Sequence, residues 1–158
     1  MSVSQTGNEF PGNEFQGVLN RKENLTLIQY LQKTQPAAHT DMVELLVQSA
    51  DGLAEVNFFS PDSDNHAYYL AHTTGGVVYA AVMGMSVMLF RLPKQAVSGA
   101  LAKGGEIFNE VGANWIMFNP FWPERNDAHR LDDLQHWCRL AHHHCIALGN
   151  TADEESAD

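Results

Sequence analysis

The stretch GVVYAAVMGMSVMLF, residues 76–90, constrains the fold of this chain more than any other. It is the most apolar run, yet it spans only fifteen residues and is broken by Gly84. A membrane-crossing helix needs about twenty apolar residues, so the run reads as two buried strands meeting at a turn. Upstream of it the apolar residues recur with a helical period, and around it they alternate with a period of two. A helical region followed by several strands at short spacing predicts an α+β domain.

The first helix is expected from Asn20, whose side chain and Glu23 form a capping-box pattern. Leu27, Ile28 and Leu31 make its apolar stripe, and Pro36 ends it. Thr40 is expected to cap a second helix with Val43, Leu46 and Val47 inward, closed by Asp51 and Gly52. Strands follow over 53–59, 67–72, 76–83 and 85–92. Pro93 opens a short helix stopped by Gly104 and Gly105, residues 114–119 form a last strand, and a helix spans 127–148. Short connections between successive strands predict a mainly antiparallel sheet of about five strands, with helices packed on one side and two of them N-terminal to it.

A chain of 158 residues is expected to hold one domain, over 17–149. Residues 1–16 read as a loosely held arm, because Gly-Asn-Glu-Phe occurs twice around Pro11 and these residues disfavour regular structure. Phe10 and Phe15 are the side chains that would dock such an arm on the body. Residues 150–158 read as an acidic tail.

Nineteen acidic residues against nine basic ones give a formal net charge of −10. Such a surface repels phosphate backbones, and Arg21 with Lys22 is the one adjacent basic pair, so no nucleic-acid partner is expected. No basic segment leads into an apolar run at the N-terminus, and no membrane partner is expected. Two cysteines without a secretion signal suit the reducing cytoplasm.

Residues 134–145, LQHWCRLAHHHC, hold four of the eight histidines and both cysteines. On a helical projection Leu131, Leu134, Cys138, Ala141, Cys145 and Leu148 share one apolar face. His142 lies near that face, His136 and His143 opposite it, and His144 at the boundary. A structural zinc site wants four converging ligands, usually from two segments. One helix offers Cys138, His142 and Cys145 at most, and nothing in the sequence brings His72 or His129 beside them. The cysteines therefore read as core residues behaving as small hydrophobes, and no metal or other cofactor is assigned.

No nucleophile elbow, phosphate-binding glycine loop or dinucleotide fingerprint occurs. Asp132 and His136 form an i, i+4 pair that matches an ordinary solvated helix surface. No acid–base constellation assembles, and no catalytic residue is named.

The stretch NWIMFNPFWPE, residues 114–124, is the candidate contact surface. Trp115 and Met117 share one face of the strand, Ile116 and Phe118 the other. Phe121 and Trp122 follow between Pro120 and Pro123, whose fixed φ holds them on a stiff loop. Rigid aromatics of this kind form interface hot spots, so Trp115, Phe121 and Trp122 are the expected partner-binding residues. The partner would be another protein or a second copy of the chain.

The segment from VVYAAVMGMSVMLFRLP through GGEIF and ANWIMFNPF to the C-terminal helix resembles the YjbR (MmcQ-like) family of small bacterial proteins. The positions that carry the resemblance are Leu92, Pro93, Trp115 and Trp137, within about residues 76–148. It implies a fold related to type III secretion chaperones and competence-regulator N-terminal domains. The two N-terminal helices exceed that family's usual pattern, and the likeness transfers a fold more than an activity. The expected function is a non-catalytic cytoplasmic module acting by protein contact or self-association. The alternatives are a small-molecule or metal-binding domain, and a secretion-chaperone-like binder of an extended protein segment.

Overall fold

The structure is a computed structural model that describes residues 18, 21–54, 56–60, 67–120 and 127–157. Among these residues six strands form one sheet: β1 (Asn57–Phe59), β2 (Tyr69–His72), β3 (Val78–Met83), β4 (Val87–Arg91), β5 (Glu106–Ile107) and β6 (Trp115–Phe118). Their order is β1-β2-β3-β4-β6-β5, and every neighbouring pair is antiparallel. Among the described residues four α-helices accompany it: α1 (Leu25–Thr34), α2 (Thr40–Ser49), α3 (Lys94–Ala102) and α4 (Asp127–Ala157). This is the α+β fold that the change of period predicts.

Both faces of the sheet are covered. Strand alternation sends Met88, Phe90, Ile116 and Phe118 into one cluster with Met42 and Leu46 of α2, Ala100 of α3 and Cys138 and Cys145 of α4. Leu89 and Trp115, which alternate with these along their strands, join Leu27, Ile28 and Leu31 of α1 in a second cluster. Helices α2, α3 and α4 thus share the side expected of them, while α1 closes the opposite face.

Local chemistry explains several element boundaries. Helix α1 starts at Leu25, after a 3₁₀ turn over Lys22–Asn24, and Asn20 lies outside the described residues. The cap of α2 is His39 and not Thr40: the His39 Nδ1 accepts a hydrogen bond from the Asp41 amide at 3.1 Å. The buried stripe of α2 is Met42, Leu45, Leu46 and Ser49, so Val43 is only partly buried and Val47 is exposed. Helix α3 ends where Gly104 takes a positive φ of 98°. Its neighbour Gly105 is required by close packing, because a Cβ there would lie 2.7 Å from Ile116 Cγ2. Helix α4 continues through most of the acidic segment to Ala157.

The register between β2 and β3 slips from Ala71↔Ala80 to His72↔Val78, leaving Tyr79 as the extra residue of a β-bulge. Tyr79 and Ala80 consequently both join the cluster beneath α4.

Candidate functional site

The histidine–cysteine stretch lies along α4 as the helical projection orders it. Leu134, Cys138, Ala141, His142 and Cys145 are buried, His136 and His143 are exposed, and His144 is half-buried. Burial pushes the Cys138 thiol up to about 12, against a smaller lowering by Arg139. Burial likewise pushes Cys145 up to about 12, Arg91 opposing the shift and Glu23 adding to it. Two turns of helix separate these thiols by about 10.5 Å, beyond the about 7 Å between Cα atoms that a disulfide spans. Cys145 instead donates to the Val78 carbonyl at 3.8 Å.

His142 packs edge-on against Tyr79, with ring centroids 5.1 Å apart. Its Nε2 and the Tyr79 hydroxyl are both buried without a hydrogen-bond partner. Burial raises the Tyr79 phenol well above its ordinary range, and the two neighbouring thiols raise it further. His72 donates from Nδ1 to the Thr73 carbonyl at 2.7 Å, and the His129 side chain lies outside the described residues. Among the described residues no group of three or more His, Cys, Asp or Glu side chains is placed to hold a metal ion.

The expected aromatic surface divides. Trp115 is only 4% exposed and packs in the α1-side cluster. The Arg91 guanidinium sits 4.7 Å above its ring centre, a cation–π contact shielded from water. Trp115 is therefore an interior residue. Phe121 and Trp122 lie outside the described residues. Trp137 stacks on Phe118 at 5.8 Å and 19°, and its ring centre lies 4.7 Å from that of the exposed His136. The cleft there, between Lys103, Asn119, Arg130 and Asp133, holds about 30 Å³, room for about two waters.

Sequence reasoning missed a buried polar junction. Asn24 is fully buried, and its Nδ2 donates to the carbonyls of Val18 (2.8 Å) and Gly76 (2.7 Å). Its Oδ1 accepts from the Val78 amide at 2.9 Å and from Arg91 at 3.3 Å. Arg91 is 7% exposed, and its Nε is buried without a hydrogen-bond partner. Desolvation lowers the Arg91 pKa, while Cys145 and Glu23 raise it. Arg21 and Glu23 form an ion pair beside it at 3.2 Å. With the first helix expected from Asn20, Asn24 falls inside its first turns, and no periodicity marks it there as a clamp.

A second missed feature is an apolar groove of about 340 Å³, lined by Ala37, Ala38, His39, Thr40, Gly84 and Met85. It exists because the α1–α2 connection is fastened to the β3–β4 turn. The Gly84 amide donates to the Ala37 carbonyl, and the His39 amide donates to the Gly84 carbonyl at 2.9 Å. Gly84 adopts φ +62°, which suits glycine. Met85, at the rim, is 70% exposed. A separate groove of mixed polar and apolar lining, about 390 Å³, runs along α1 between Thr26, Gln29, Tyr30, Lys33, Glu110 and Val111.

Both thiols are buried and protonated, and the buried His142 packs edge-on against Tyr79. No helix among the described residues is long and apolar enough to cross a membrane. Comparison with family models, with curated proteins and with solved structures finds no match to this chain.

Proposed function

We propose that this chain is a non-catalytic module of the cytoplasm that acts by protein–protein contact, with the YjbR-like character its central segment suggests. One observation carries the reading. Met85 leaves 70% of its surface in water beside a groove whose lining, among the described residues, includes no carboxylate, on a chain with net charge −10. Exposed methionine beside an apolar groove is the composition of adaptable protein-binding surfaces. Two free, buried cysteines accord with a reducing compartment. Trp115 is left out of the contact surface because it is interior.

A photoreactive amino acid at position 85, compared with the same residue at exposed Lys33, tests the proposal. A discrete protein adduct is expected from position 85 in purified chain or in cell extract. Adduct formation no greater than at position 33 in both settings overturns it.

A second reading, binding of a small polar molecule, draws on the groove along α1. Its volume of about 390 Å³ falls in the range of about 300–1,000 Å³ typical of small-molecule sites. The metal form of that reading has no support from Cys138, His142 and Cys145, which do not converge.

A further inference from the structure

We infer that the groove along α1 is a binding site for a small zwitterion of the amino-acid class, its carboxylate held by Lys33 and its ammonium by Glu110. This deepens the small-molecule reading and rests on it. Two elements build the groove. Thr26, Gln29, Tyr30 and Lys33 recur at spacings of three and four along one face of α1, and Glu110 and Val111 line it from the turn after β5. Phe108 and Val111 are buried on either side of the exposed Glu110, and the Val111 and Gly112 amides donate to the Phe108 carbonyl at 3.0 and 3.1 Å. The Tyr30 ring meets Phe108 edge-on, with centroids 5.3 Å apart. The helix that carries Lys33 and the turn that carries Glu110 are thus pinned to each other through the core, so a ligand has little backbone to order.

Charge selects the class of ligand. Lys33 and Glu110 line one groove with opposite charges, yet among the described residues neither enters an ion pair. A ligand of one sign satisfies one of these groups and is repelled by the other. A ligand carrying both signs on one small frame engages both. Being neutral overall, it is also not repelled by a chain of net charge −10, as a simple anion would be.

The rest of the lining suits the same class. Tyr30 and Val111 supply an apolar part for a side chain, and Thr26 and Gln29 add hydroxyl and amide groups. Lys33 and Glu110 are both exposed, so each pairing is weak and screened by salt. The expected Kd is about 1 mM at low salt.

Titration of the purified full chain with L-phenylalanine, followed through its amide NMR signals, tests this. Phenylpropanoate, which lacks the ammonium, and phenethylamine, which lacks the carboxylate, are the comparison probes. L-phenylalanine is expected to give saturable shifts in α1 and residues 108–112, and to bind about threefold or more tighter than either analogue. Lys33→Met and Glu110→Gln should each weaken its binding by about threefold or more. Both positions are exposed, so the variants keep their fold, which circular dichroism checks. Equal or tighter binding of either analogue at the same amides overturns the zwitterion assignment while the small-molecule reading of the groove stands. So does L-phenylalanine binding there that both variants leave intact. Shifts that map elsewhere, or none from any of the three probes, overturn both.

Discussion

Asn24 and Arg91, 67 residues apart in the chain, meet through a 3.3 Å hydrogen bond from the arginine Nη2 to the asparagine Oδ1. The same oxygen takes the Val78 amide, and the Asn24 Nδ2 bridges the carbonyls of Val18 and Gly76. One side chain thus joins the entry to α1, the start of β3 and the end of β4, while Arg91 roofs Trp115. Replacing Asn24 by alanine strands several buried donors and acceptors at once, each worth about 1–3 kcal/mol.

Asn24→Ala is therefore expected to lower unfolding free energy by about 3 kcal/mol or more. Asn24→Asp keeps an acceptor for Val78 and Arg91 but sets an oxygen against two carbonyls, so it destabilises too. Urea unfolding checks both variants. A loss below about 1 kcal/mol for Asn24→Ala would show that the junction does not hold these elements together.

Tyr79 leads to the opposite expectation. Its hydroxyl is fully buried and unpartnered, a standing desolvation penalty of about 1–3 kcal/mol. Tyr79→Phe removes the oxygen and keeps the ring against His142, so the variant should equal or exceed wild type in stability. Destabilisation by more than about 1 kcal/mol would mean that an ordered water satisfies the hydroxyl. The melting temperature decides.

Periodicity made some of this fold legible, and packing decided the rest. The α4 projection assigned Cys138 and Cys145 inward and His136 and His143 outward, because one long stripe leaves a single apolar face. In helix α2 the expected stripe Val43/Leu46/Val47 gives way to Met42/Leu45/Leu46/Ser49. The helix docks against α4, where Gln135 Nε2 donates to the Gln48 carbonyl at 3.1 Å, and that packing turns Val47 outward. Strand β5 has two residues and no alternation to read. The groove was invisible for a different reason: Ala37, Ala38 and Gly84 have no signal until the turn and the connection are fastened together. Asn24 shows the same limit, since its four partners lie between 6 and 67 residues away.

The thiols give a third expectation. At a pKa of about 12, Cys138 and Cys145 hold almost no thiolate near neutral pH, and the thiolate is the reactive form. A disulfide-exchange reagent should leave the folded chain unlabelled at about pH 8 and titrate both cysteines once guanidinium unfolds it. Rapid labelling of the native chain at either position would show that α4 opens away from β3.

The last expectation concerns acid. Burial disfavours the charged form of His144, and the nearby charges of Arg91 and His143 disfavour it further, so its pKa lies below the ordinary 6.5. Well above that value folded and unfolded chains both carry neutral imidazole, and the group leaves stability unchanged. As pH falls through 6.5 the unfolded chain takes up the proton first, so the folded state loses stability, until the folded pKa is passed and the loss levels off. His144→Gln cannot be protonated and escapes that loss. The urea midpoints of wild type and variant should therefore diverge in the variant's favour between about pH 7.5 and pH 5. Midpoints that fall in parallel over this window would show that the imidazole at position 144 is not held neutral beside Arg91.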